Sequence, residues 1–305
     1  MSTYRALLTR ELIEHRVAFV TTPLVIAGVI LLATTALLIS FNVGVIRVED
    51  LEIRSFGDLL RHMADAVERG NHMLAPQVLA ILSVPLFLVL PFEVFFTLLG
   101  SLYDDRRDRS FLFWKSMPVP DWQEVGAKLA AAVVAGPACF FAIMVAFQMA
   151  FLVIATVIGL AQGGPVGVLW DVAGLIGLWL TIAVYYLIYV LWALPLFGWI
   201  MLASAYAPKA PLLYAVVPPL ALVLLDGSIG GGALGDWIGN RIIGLPLAEA
   251  LGGRLEGLDD LSALLILPEA PAVLAQSLVQ ADFWLGLLMA GVFFAGAVWL
   301  RRHNV

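Results

Sequence analysis

The sequence predicts an all-α, polytopic membrane protein whose helices cross the bilayer about six times, with both termini in the cytoplasm. Three observations carry that expectation. Of 305 residues, 62% are hydrophobic and only 13% charged, with a mean hydropathy of +0.97, whereas a soluble domain carries about 25% charged residues and is under half apolar. Apolar segments of spanning length recur from Val17 to Leu300, so residues 1–305 read as a single membrane-embedded unit with no separate soluble module. Finally, when the chain is threaded six times, its Lys and Arg residues gather in the connections on one side.

The elements follow in order. Residues 4–16 place Leu7, Leu8, Leu12 and Ile13 near helical spacing, with Arg5, Arg10, Glu11, Glu14 and Arg16 elsewhere, which predicts a helix lying along the inner membrane surface. The next apolar run, 17–41, exceeds the ~7 to 15 residues of a signal-peptide core, so it is expected to remain as the first span. A spanning helix needs ~20 mostly apolar residues, and 76–102, 129–160, 172–204, 212–232 and 283–300 are the further expected spans. The outer loop 42–75 mixes charge with Leu51, Ile53, Phe56, Leu59, Leu60, Met63 and Val67. That mixture predicts a short amphipathic helix between Arg47 and Asn71. The fifth span is the irregular one: its apolar part stops near Leu225, Pro218 and Pro219 interrupt it, and the Gly227–Gly235 stretch follows. A broken or re-entrant helix is the expectation there. The outer region 233–281 has amphipathic and turn-like pieces at Trp237–Leu245 and Leu255–Leu267.

Orientation rests on the basic residues. One side takes Arg5, Arg10, Arg16, Arg106, Arg107, Arg109, Lys115, Lys128, Lys209, Arg301 and Arg302. The other takes Arg47, Arg54, Arg61, Arg69, Arg241 and Arg254, where acids such as Glu49, Asp50, Glu52, Asp58, Asp65 and Glu68 offset them. The first side is therefore expected to be cytoplasmic, and both termini on it require an even number of spans.

Several chemistries find no support. The pI of 5.2 and the lack of a dense basic stretch argue against a nucleic-acid partner. Cys139, as the single cysteine, cannot form an internal disulfide. His15, His62, His72 and His303 do not cluster at metal-ligand spacing, and Glu11 to His15 lacks the first histidine of H-E-x-x-H. Asp226 to Gly230 lacks the leading glycine of G-x-S-x-G, and no G-x-x-x-x-G-K-[ST] phosphate loop occurs. No catalytic residue, metal or cofactor is thus expected on this chain.

The connection 103–128 is the most informative stretch. It sets Tyr103, Asp104, Asp105, Arg106, Arg107, Asp108, Arg109 and Ser110 directly before Phe111, Phe113, Trp114 and Lys115. A simple turn would need only ~2 to 8 residues, and aromatics flanked by arginines suit a groove on a soluble partner. A positive-inside signal with interfacial aromatics explains the same residues. Within the membrane, Glu93 sits roughly 13 Å of helix from Leu102 at 1.5 Å per residue, and an intramembrane charge must face protein or water. Glu93, Gln148, Tyr185 and Tyr189 are candidates for lining a translocation path, packing being the competing explanation; Tyr186, Trp192 and Trp199 crowd the same fourth span.

The run Leu102 to Ser110, followed by Leu112 to Val119, resembles the first cytoplasmic loop of bacterial ABC-2-type transporter permeases. Pro195 to Trp199, Ser204 to Ala207, Ala210-Pro211 and Pro218-Pro219 are similar to the end of the fourth span and start of the fifth in that family. The resemblance implies an ABC-2-type permease fold in the bacterial cytoplasmic (inner) membrane, and an exporter. It further implies pairing with a second permease chain and docking of a separate ATP-binding subunit, which would hold ATP and Mg. The docking element would then be 103–128, through Tyr103, Asp104, Arg106, Arg107, Asp108, Arg109, Phe111, Phe113, Trp114 and Lys115, with Tyr206 to Pro211 as a second contact. An ATP-independent carrier or channel coupled to ions or protons is the alternative, and a membrane-embedded enzyme would need a nucleophile, metal or acid pair that the sequence does not assemble.

Overall fold

A computed structural model describes residues 3–40, 46–48, 51–53, 55–70, 74–108, 119–242 and 277–303. Six of its helical segments are long and apolar enough to cross a membrane: Val17–Ser40, Leu74–Arg107, Asp121–Ala161, Val166–Tyr206, Pro211–Ile229 and Ala281–His303. They alternate with shorter elements. Helix α1 (Thr3–Glu14) leads through a π-helical turn (Val17–Thr21) into α2 (Thr22–Ser40). A small hairpin follows, β1 (Ile46–Val48) pairing antiparallel with β2 (Leu51–Ile53), and then α3 (Phe56–Glu68). The second span is α4 (Leu74–Ser101) continued by the short α5 (Tyr103–Arg107). The third is α6 (Asp121–Ala130), a second π-helical turn (Ala131–Ala135) and α7 (Gly136–Ala161). The fourth and fifth are α8 (Val172–Tyr206) and α9 (Pro211–Ile229); α10 (Ala233–Ile242) and α11 (Ala281–His303) complete the described chain.

The outer loop departs from the sequence expectation. The amphipathic helix occupies only its second half, where Ser55 accepts the Asp58 amide at 3.1 Å as N-cap, and Phe56, Gly57 and Leu60 turn inward. The first half is the hairpin, built by β-branched residues too few to signal a strand by alternation. α3 lies over the turn joining the third and fourth spans, where the Gly57 amide donates to Gln162 at 3.0 Å.

Packing is densest between the fourth and sixth spans, the second and fourth, and the first and third. Gly198 lets α11 approach α8 so closely that a Cβ would sit 3.2 Å from Phe293 and 3.3 Å from the Ala290 carbonyl. Outward faces are apolar, as expected of helices in lipid: Leu32, Phe92, Val157, Leu187, Leu224, Leu288 and Val292 are all exposed.

The fifth span is continuous through Pro218 and Pro219. Proline removes the donor to the carbonyl four residues earlier, and the Trp199 indole supplies a replacement, donating to the Ala215 carbonyl at 2.8 Å. The helix ends instead at the glycines: Gly231 and Gly232 take φ of 85° and 89°, a left-handed conformation open to glycine. α10 turns back from there.

Candidate functional site

The charged run after the second span divides between two directions. Leu102 interrupts the helix, and the Ser204 hydroxyl at the end of α8 accepts the amides of Leu102 and Tyr103 at 3.1 and 3.0 Å. Two N-terminal donors of α5 are thereby satisfied by another span. Arg106 returns the connection: its Nη2 donates to the carbonyls of Ser204 and Ala207 at 2.5 and 3.0 Å, placing a cation on the negative end of the fourth span's helix dipole. Arg107, Asp104 and Asp108 face outward, with Arg107 3.1 Å from Asp104 and 3.0 Å from Asp108. Tyr103 is partly buried beside them. Arg109, Phe111, Phe113, Trp114 and Lys115 lie outside the described residues.

Asp105 points inward and is 4% exposed. Lys128 of α6 brings its Nζ to 3.3 Å from Asp105 and 3.2 Å from Glu11 of α1. Arg301, near the end of α11, lies 3.4 Å from Asp105 and forms a close ion pair with Glu124 of α6. All five of these side chains are buried. At the rim, Arg10 approaches Glu11 at 3.7 Å, so three carboxylates face three cations. Burying an ion costs several kcal/mol unless it is paired, and each charge here meets an opposite one. His15 completes the edge, 3.8 Å from Glu11. Burial pushes its imidazole pKa below the usual 6.5, with Glu11 opposing the shift. The cluster ties α1, α5, α6 and the sixth span together, and Arg106 adds the fourth. In the sequence Lys128 and Arg301 serve as orientation signals; the structure adds their partners Glu11, Asp105 and Glu124.

The four path candidates fall on two seams. Glu93 is half-buried on α4, near the Thr22 side chain of the first span. Gln148, fully buried, joins polar groups of two other spans to its own: its amide donates to Ser83 at 2.7 Å, its oxygen accepts from the Trp179 indole at 2.6 Å, and Ser83 donates to the Leu79 carbonyl at 2.7 Å. These contacts link the second, third and fourth spans. Tyr185 stacks on Tyr189 with centroids 6.1 Å apart and packs edge-on against Phe87 at 5.6 Å. Gln148 and the tyrosines thus share the seam between second and fourth spans, and Glu93 stands apart.

A second ionic site, which no sequence motif marks, is built around Arg241. Arg241 is 1% exposed, lies between the rings of Trp192 and Trp237 at 4.5 and 4.4 Å, and donates to the Trp192 carbonyl at 2.6 Å and Asp282 at 2.8 Å. The Trp237 indole donates to the same carboxylate at 2.7 Å. Trp237 stands four residues before Arg241, one helical turn away, which is the signal that could have revealed the stack. Trp192 lies fourteen residues from Tyr206, about 21 Å along the fourth span, so Arg241 is seated against the middle part of that helix.

Among the described residues, no group of three or more His, Cys, Asp or Glu could hold a metal ion. No family model matches the chain, and neither does any curated protein or solved structure.

Proposed function

We propose that the chain is the membrane-spanning subunit of an ABC-2-type ATP-driven exporter, working as a pair of permease chains and docking a separate ATP-binding subunit through residues 103–128 at the cytoplasmic face. The observation that carries this reading is mechanical. Both described flanks of that connection, α5 and α6, are joined by buried ion pairs to α1 and the sixth span, and α5 is strapped to the fourth. A transporter whose fuel is burned on another subunit needs such a linkage, because a push at the docking element must shift packed helices between two arrangements. The sequence resemblance of Leu102 to Val119 supplies the family, and the aromatics Phe111, Phe113 and Trp114 supply the expected anchors.

The test is capture. Tagged chain purified in mild detergent from its native membranes brings down an ATP-hydrolysing subunit, and the Phe113→Ala/Trp114→Ala variant loses it while keeping its own folding. Unchanged capture by that variant, or transport persisting after ATP depletion, would favour an ATP-independent carrier instead.

A further inference from the structure

The first and third spans carry the same joint. Val17-Ala18-Phe19-Val20-Thr21-Thr22-Pro23 and Ala131-Ala132-Val133-Val134-Ala135-Gly136-Pro137 both run as five residues of π-helix, one residue, then proline. The cause is shared. Pro23 and Pro137 cannot donate to the carbonyls of Phe19 and Val133, and the ladder widens one turn earlier, so that Thr22 donates to the Val17 carbonyl and Gly136 to the Ala131 carbonyl. π-Turns and prolines are where helices bend.

The joints also touch. Phe19, fully buried within the first π-turn, lies on Gly136 at the end of the second, so closely that a Cβ at Gly136 would meet its ring at 2.8 Å. Before the joints, α1 and α6 are bound together: they pack along one another, Lys128 holds Glu11, and the Tyr4 hydroxyl donates to the Gly126 carbonyl at 3.4 Å. After the joints, α2 and α7 pack as spans.

We propose that α1 and α6 form one rigid body that, when the pairs Arg301–Glu124 and Lys128–Asp105 tying α6 to the sixth span and α5 part, swings against the membrane bundle about a double joint, the two π-helical turns stacked through Phe19 and Gly136. Its use in passing on an ATP-driven push rests on the permease reading; the joint itself does not. α6 is a lever of ten residues, roughly 15 Å, and a change of about 20° at such a kink moves its far end by about 5 Å.

Pulsed electron resonance on spin-labelled chain tests this, with Cys139→Ala as background and the chain alone in phosphatidylethanolamine/phosphatidylglycerol nanodiscs. Labels at Ile13→Cys and Trp122→Cys, both exposed, lie within the proposed body. Labels at Ile13→Cys and Val157→Cys lie across the joint. The across-joint distances are expected to spread over about 5 Å more than the within-body distances, and the Pro23→Ala/Pro137→Ala variant to lose that excess. Equal widths in the unaltered joint, or an excess that survives removal of both prolines, would overturn the proposal. A stiff joint in a chain that still captures its ATPase would sink the joint alone. A chain that captures no ATPase and yet shows the excess would sink the permease reading and leave the joint standing.

Discussion

Replacing Lys128 by methionine keeps the length and most of the volume of the side chain while deleting the ammonium shared by Glu11 and Asp105 at 3.2 and 3.3 Å. Both carboxylates stay buried, at 2% and 4% exposure. Breaking a buried pair by removing one partner costs about 3–5 kcal/mol. The lower end applies, because Asp105 keeps Arg301 at 3.4 Å and Glu11 keeps Arg10 at 3.7 Å. A loss of about 3 kcal/mol is roughly a hundredfold in the unfolding equilibrium. Titrating the purified protein from mild micelles into SDS and following tryptophan fluorescence measures it. Lys128→Met/Glu11→Gln should recover at least about 1 kcal/mol of the loss, since the second change removes the orphaned charge. Arg107→Ala, which breaks only exposed pairs, should leave the SDS transition where the parent has it. A Lys128→Met protein within about 0.5 kcal/mol of the parent, or a double variant worse than the sum of its parts, would refute the clamp.

Two further outcomes are expected. Gly286→Ala would press a methyl to 2.6 Å from Nη2 of Arg241, whose guanidinium is held by two indoles and Asp282 and cannot step aside; thermal unfolding should show about 1–3 kcal/mol of destabilisation. Gly291→Ala in the same helix meets nothing within 4 Å and should be neutral. For His15, burial lowers the folded pKa beneath the ordinary 6.5, so once the pH falls below that value the unfolded chain binds a proton that the folded one refuses. Stability contributed by the neutral ring is therefore lost between 6.5 and the lower folded pKa. The parent should lose more melting temperature than His15→Gln on going from about pH 7.5 to about pH 5.5, and equal losses would remove His15 from the acid response.

The spans were legible because lipid imposes a requirement that composition alone can meet: long apolar runs with charges pushed to their ends. The same logic could not say which way Asp105 and Arg107 turn. That depends on α6 and the sixth span arriving beside α5 with Lys128 and Arg301, contacts made across 23 and 196 residues of sequence. The two prolines of the fifth span read as a break because the indole that repairs the Ala215 carbonyl belongs to Trp199, on the preceding helix. The burial of Arg241 is hidden for a related reason: a lone arginine looks solvated until Trp192 and Asp282 are folded around it. Local signals gave the helices, and long-range charge pairing gave the site.

The seat of Arg241 also sets an order of assembly. Its carboxylate partner stands 41 residues later in the chain, and at about 5–20 residues per second a ribosome delivers Asp282 some seconds after Arg241 has been made. The seat is therefore complete only when the last helix is in place, and the turned-back α10 and the sixth span then hold one another through the Arg241–Asp282 pair and the Trp237 indole.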